Sequence, residues 1–225
     1  TRVKEVIVAG SKSTGVTLMG GGGVAAGTVI NCAGPWCNQL TKQAGVEVPF
    51  TITPVRIQVA HKHVEGEFSR LPFVADCDSG VYFMPRMQNN QLVIGSLASK
   101  YETEEVDPDN YNVNLDPDFK SEFLAAVFHR LPTLPQAGQV VGFSSMYTMC
   151  EEDLHPIIGP TELEGYWVCN GFSGHGFKLA PAVGSGVAQK LTGCRLDTWE
   201  TDVAIENFDP HRSRLGTGWG VGLGI

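Results

Sequence analysis

The stretch with the most chemical potential in this 225-residue chain is GFSGHGFK, residues 171–178. Gly171, Gly174 and Gly176 have no Cβ, so they leave backbone N–H and C=O groups open to the close approach of a planar or anionic group. A hydrophobic run, GYWVCN, precedes the stretch, and an apolar run from Leu179 follows it. If a helix begins here, its N-terminus carries partial positive charge and Lys178 adds a full one. Such a junction can stabilise negative charge on a ring or hold a carboxylate. It can equally be a tight strand-to-helix turn with a solvated lysine, and spacing alone leaves both open. VINCAGPWCNQL, residues 29–40, is a second junction of the same kind, with Ala33-Gly34 after a strand and Trp36 at a helix start. Both could face one extended ligand, or both could be ordinary turns.

Three other constellations carry weaker signals. GGGVAA, residues 21–26, has the letters of a dinucleotide fingerprint, but that motif needs a helix next to receive the pyrophosphate. GTVINCAG follows instead and reads as a strand, so a hairpin turn is the better account. His61, His63 and Glu65 share one face of a strand, yet HKHVEGE is polar throughout and reads as a solvated strand end, so no metal site is expected. Ser173, His175 and Asp153 supply the letters of a hydrolase triad, but the serine lacks the G-x-S-x-G setting.

The bulk properties narrow the partners. A net charge of −8 argues against nucleic acid or an anionic membrane as the main partner. No run of 18 apolar residues is present, so no membrane span is expected. The six cysteines have irregular spacings without a Cys-x-x-Cys pair. They read as buried free thiols in a reducing compartment, and a cytoplasmic location is the expectation.

The elements that must position the junctions read as an α+β chain. VKEVIVAG, GVTLMG and GTVINCAG are strands, and a helix is expected over residues 35–44, with proline in its first turn and Gly45 just past its end. TITPVRIQVAHKH is a long strand, followed by three short ones separated by turns at residues 78–80 and 88–90. A helix is expected after Asp116 as cap, with Pro117 in first position and Phe119, Phe123, Val127 and Leu131 as its apolar face. The last helix carries an apolar stripe, Leu179, Val183, Val187 and Leu191, beside a small-residue stripe, Ala180, Gly184 and Ala188, which allows a close neighbour. Residues 216–225, glycine-rich, read as a flexible tail.

TVINCAGPWCNQL, HPIIGP and GYWVCNGFSGHGFKLAPAVG together resemble the FAD-dependent amino-acid and amine oxidoreductases, the family of D-amino-acid oxidase, and most nearly its monomeric sarcosine oxidase and sarcosine dehydrogenase-like branch. In that branch a Cys-Met-Tyr-Thr segment stands where this chain has Ser145-Met146-Tyr147-Thr148. The resemblance implies that Lys178 pairs with the substrate carboxylate and that Tyr82 and Tyr147 line the substrate pocket. It further implies that Gly171, Gly174, His175, Gly176 and Phe177 run along the flavin, that Ala33, Gly34 and Trp36 lie beside the flavin and its ribityl-phosphate chain, and that Val3 holds the adenine through its backbone. The fold it implies is part of an FAD-binding α/β domain (residues 1–49 and 149–215) interrupted by a substrate domain with a mostly antiparallel sheet (residues 50–148).

Three departures qualify the resemblance. The family's opening G-x-G-x-x-G segment has no counterpart here, so the chain is expected to be the C-terminal part of an enzyme, partnered by the missing N-terminal segment or subunit, which also supplies an arginine for the substrate carboxylate. Ser145 replaces the cysteine that attaches FAD covalently, so FAD is expected to be held non-covalently. Val93 stands where the oxidases have a lysine that helps O2 react, which favours a dehydrogenase passing electrons to an acceptor protein or quinone. The expected reaction is oxidation of a secondary or N-methylated amino acid, sarcosine-like, to an imine. The alternatives are a D-amino-acid or glycine oxidase and, from another class, a non-catalytic scaffold without flavin.

Overall fold

The computed structural model describes residues 1–64, 68, 70–194 and 204–216. Glu65 and the expected flexible tail beyond Gly216 lie outside the described residues. In chain order the elements are β1 (Val3–Ala9), β2 (Lys12–Leu18), β3 (Gly23–Ala25), β4 (Val29–Asn31), α1 (Cys37–Gln43), β5 (Ile52–His63), β6 (Val74–Asp76), β7 (Val81–Arg86), β8 (Gln91–Ser96), α2 (Pro117–Arg130), β9 (Val140–Cys150), β10 (Ile157–Pro160), β11 (Tyr166–Asn170) and α3 (Gly176–Thr192). The chain divides into two units. One contains Thr1–Pro54 and the described residues after Met146; the other is Val55–Met146. The sequence placed the crossings at 49 and 149. The observed divisions, after Pro54 and after Met146, fall inside continuous strands, β5 and β9, where no change of composition marks them.

In the first unit, β1, β2 and β3 form an antiparallel meander, and a second sheet has the order β10-β11-β4. The Gly-rich run at residues 20–23 turns β2 into β3, as the hairpin reading required; Gly21 N donates to Leu18 O at 3.0 Å. The helix expected from residue 35 opens as a 3-10 turn over Gly34–Trp36 before α1. Val6, Cys37, Phe50, Ile52, Ile157, Tyr166 and Val168 make one apolar cluster, and Ile158, Val187 and Ile205 a second.

In the second unit, the sheet order is β6-β7-β8-β5-β9. The pairs β6/β7, β7/β8 and β8/β5 are antiparallel. Phe119, Phe123 and Val127 of α2 are fully buried with Ala60, Val81, Phe83, Leu92 and Ile94, as the four-residue spacing required. Phe119 and Phe123 lie 4.5 Å apart, and Tyr101 meets both edge-on.

Three expectations are corrected. Asp116 sits at the start of α2 but makes no side-chain cap bond. Its carboxylate instead accepts from Arg56 Nη1 (2.7 Å) and Nη2 (3.0 Å) and from Gln58 Nε2 (2.9 Å). Arg56 is buried, and a buried guanidinium needs a paired anion more than a helix end needs a cap. The stripe Ala180, Gly184 and Ala188 is exposed, and nothing lies within 4 Å of a Cβ built on Gly184. The close approach on α3 is at Gly186, where a Cβ would lie 2.5 Å from Ile205. Of the thiols expected to be buried, Cys37 and Cys150 are, Cys169 is half-buried, and Cys32, Cys77 and Cys194 are exposed. Cys32 is open because it follows β4, the end strand of its sheet. No described helix is long and apolar enough to cross a membrane.

Candidate functional site

Pairing in the second sheet brings the two glycine junctions together. β11 runs parallel to β4, with Tyr166, Trp167 and Val168 opposite Val29, Ile30 and Asn31. Both strands therefore end at the same edge of the sheet. In open sheets of parallel strands, ligands bind outside the carboxyl ends.

Each strand ends on a buried asparagine. Asn31 Nδ2 lies within hydrogen-bond distance of Cys37 O (3.0 Å), Thr41 Oγ1 (3.1 Å) and the Tyr166 hydroxyl (2.8 Å), while its Oδ1 accepts from Ala33 N at 3.1 Å. Asn170 joins the junctions directly. Its Nδ2 donates to Gly34 O at 2.6 Å, and its Oδ1 accepts from Gly171 N (2.8 Å) and Thr148 Oγ1 (3.1 Å). A buried side chain satisfied at three points fixes the spacing of three segments.

The loop from Gly171 to Gly176 winds through left-handed backbone: φ is +72° at Gly171, +46° at Ser173 and +84° at Gly174. Ser173 tolerates this because it is pinned. Its N–H donates to Thr148 O (2.9 Å), and its Oγ accepts from Cys150 N (3.0 Å). That hydroxyl is committed to backbone. Asp153 is fully buried against Arg212, so the hydrolase letters form no triad. A Cβ on Gly174 would lie 2.9 Å from the Tyr147 ring, and one on Gly176 3.1 Å from Phe172. Gly171 faces Cys150, Ile52 and Ile157 at ordinary contact distance, so its side is filled by the protein. Gly34 differs: φ is +54° and nothing lies within 4 Å of the Cβ position, so its backbone borders open space.

α3 starts at this edge. His175 precedes it without a side-chain cap bond, and the first N–H groups of a helix have no partner within it. Lys178 lies in the first turn, and Phe177 beside it is fully exposed. Burial lowers the His175 pKa, and the Lys178 charge lowers it further, so the imidazole is neutral near pH 7. Val3 stands apart from this edge in sequence position, opening β1 opposite Leu18.

In the second unit, α2 takes the face of the sheet that carries Phe83, Leu92 and Ile94, and alternation puts Tyr82, Val93 and Gly95 on the opposite face. The Tyr82 ring lies across Gly95, where a Cβ would come within 2.2 Å, and stacks on Phe73 at 5.7 Å. Val93 is buried and Ser145 half-buried. Ser145 and Tyr147, two apart on β9, share a face of that strand. His61 stacks on Phe143 at 5.8 Å.

Sequence reasoning missed Asn31 and Asn170. The signal was present: an asparagine closes the strand in both junctions. The Arg212 pairing had no local signal, because its partner Asp153 is 59 residues away.

A model of the family described as "DAO: FAD dependent oxidoreductase" matches residues 1–190. The chain belongs to that family. It is 32% identical over 175 residues to FAD-dependent oxidoreductase domain-containing protein 1 of Bos taurus, covering 72% of this chain and 35% of that one. It is 31% identical over 170 residues to the mitochondrial sarcosine dehydrogenase of Mus musculus, covering 72% of this chain and 17% of the relative. This DAO-family chain thus spans about a third or less of these relatives. In fold it resembles the L-proline dehydrogenase of P. horikoshii, with a TM-score of 0.77 at 24% identity over 94% of this chain and 53% of that one. The α+β reading and the resemblance drawn from the junction motifs both stand.

Proposed function

We propose that this DAO-family chain receives the ring end of a non-covalent FAD, and that the whole enzyme oxidises the C–N bond of a secondary or N-methylated amino acid to an imine, which water hydrolyses. The observation that carries this reading is the Asn170–Gly34 bond of 2.6 Å, which locks two backbone-baring junctions side by side at the carboxyl edge of parallel strands. The open backbone at Gly34, the N-terminus of α3 and Lys178 suit a planar group with an anionic edge.

When bound, FAD supplies the two-electron acceptor for the hydride that leaves the carbon beside nitrogen. The chain's own residues prepare the surroundings. The α3 N-terminus and Lys178 stabilise negative charge at this edge, and Lys178 orients the substrate by its carboxylate. Neutral His175 adds no competing cation. Tyr147 packs against Gly174 and holds the loop's shape. By the family pattern, Ala33 and Trp36 flank the cofactor, Val3 takes the adenine, and Tyr82 with Tyr147 contacts substrate. Ser145 cannot form a thioether, and the apolar Val93 offers no charge to assist O2, which supports a dehydrogenase with a protein or quinone acceptor. The remainder of the full protein, or a separate subunit, supplies the pyrophosphate loop.

The test is reconstitution. The purified chain is incubated with FAD, alone and with the N-terminal segment of a family relative, then desalted. Retained flavin, and bleaching of its visible band by an N-methyl amino acid with an artificial acceptor, is the expected result. Protein that stays colourless in both mixtures overturns the reading in favour of a scaffold. Peroxide formed in step with substrate loss overturns the dehydrogenase assignment.

A further inference from the structure

Cys32 and Cys169 each follow a member of the last register pair of β4 and β11, Asn31–Val168, and their thiols are within hydrogen-bond reach of one another. Two contacts bracket them: that pair on one side and the Asn170–Gly34 hydrogen bond on the other. Neighbouring strands run about 4.8 Å apart, inside the Cα separation of about 4.4–6.8 Å that a disulfide spans. Paired positions on parallel strands point to the same face. Val168 turns into the core, so Cys169, next on β11, turns to the opposite face, where it packs with Phe172, Val183 and Val187 and reaches Cys32.

We propose that Cys32 and Cys169 form a redox modification site, which a hydroperoxide converts to an intramolecular disulfide at the carboxyl edge of β4 and β11. The Cys32 thiolate attacks a peroxide oxygen, the O–O bond breaks, and Cys32 sulfenic acid and hydroxide form. The Cys169 sulfur then attacks the Cys32 sulfur. The S–S bond forms, and the sulfenic oxygen leaves as water with the Cys169 proton. Two thiols lose two electrons and hydrogen peroxide becomes two waters.

The chemistry of the pair suits these roles. Cys32 is exposed to the oxidant, and Cys169 is half-buried behind it. The Cys169 S–H donates to the Cys32 sulfur and lowers the Cys32 pKa to about 7, against an opposing effect of burial. The same bond and burial raise the Cys169 pKa, so it reacts second. Burial raises Cys37, which keeps that nearby thiol out of the first step. The bridge fastens the junction before Gly34 to the one before Gly171.

The experiment treats the purified chain with a few equivalents of hydrogen peroxide, quenches with catalase and counts thiols in denaturant. The count should fall from six to four. A non-reduced digest should give one linked peptide joining Cys32 to Cys169, lighter by two hydrogens and released by dithiothreitol. Cys32→Ser should form no link and keep all its remaining thiols. Cys169→Ser should leave Cys32 as a sulfenic acid that dimedone traps. The double variant Cys77→Ser/Cys194→Ser should still form the link. Sulfenic acid at Cys32 without a link in the unsubstituted chain, or a link from Cys32 to another cysteine, overturns the proposal. None of these readouts requires FAD, so this proposal and the flavin reading fail separately.

Discussion

Asn170→Asp tests the clamp between the junctions with almost no change of shape. The side chain keeps an acceptor for Gly171 N and Thr148 Oγ1, but the group 2.6 Å from Gly34 O changes from donor to acceptor. Loss of one buried hydrogen bond costs about 1 kcal/mol, and leaving a buried acceptor unsatisfied costs about 1–3 kcal/mol more. The sum is roughly 2–4 kcal/mol. A mid-range urea slope of about 2 kcal/mol per molar for small proteins translates this into a midpoint lower by about 1–2 M. Trp36 and Trp167 are in the unit that holds the site, so their fluorescence follows its unfolding. Thr148→Val is the control. It removes only the bond to Oδ1 and should cost about 1 kcal/mol. FAD retention after desalting is the second readout and should fall with Asn170→Asp. A variant within about 0.5 kcal/mol of the parent, the scatter of an ordinary surface change, refutes the clamp. A destabilised variant that keeps its FAD refutes the clamp's role in holding cofactor.

Gly174→Ala combines an unfavourable left-handed backbone, about 1–2 kcal/mol, with a Cβ 2.9 Å from Tyr147. Overpacking adds about 1–3 kcal/mol, and thermal or urea unfolding should show the loss. Acid sensitivity should reside partly in Asp153. Burial alone raises its pKa, but the His155 and Leu215 N–H groups and Arg212 outweigh this and leave it lowered. A lowered folded pKa means stability that is present above the unfolded value, about 3.9, and lost as pH falls through the folded one. Asp153→Asn should therefore flatten the stability–pH curve below about pH 4 while lowering stability at pH 7. In the full flavoprotein, Lys178→Ala should raise KM for a carboxylate-bearing amine by about 10- to 150-fold, from about 1.5–3 kcal/mol for a charged hydrogen bond. FAD affinity should change far less; equal losses count against the substrate role.

Local signals showed in the sequence where a single stretch of chain decided the outcome. Pro117 and the Phe119–Phe123–Val127 spacing set α2, and the Gly-rich run at 20–23 set a hairpin because what followed it was strand. The two junctions could be seen, but their adjacency could not, because β4 and β11 are separated by more than a hundred residues and only sheet pairing joins them. For the same reason Cys32 and Cys169 looked like unrelated thiols. Asp116 followed its local rule for position and broke it for bonding, since Arg56, 60 residues away, made the stronger demand. Gly186 was overlooked because its neighbour, Ile205, lies past the end of the helix.

The Arg212–Asp153 pair has a consequence for where this protein can be cut. The family-model match ends at residue 190, yet Arg212 and Leu215 N–H neutralise a fully buried carboxylate, and the Arg212 guanidinium lies 4.2 Å from the centre of the Phe50 ring. A version trimmed to the recognisable portion would strand that charge in the interior. The segment that keeps Asp153 paired thus runs past the family match, and its final turns belong to the foundation of the site.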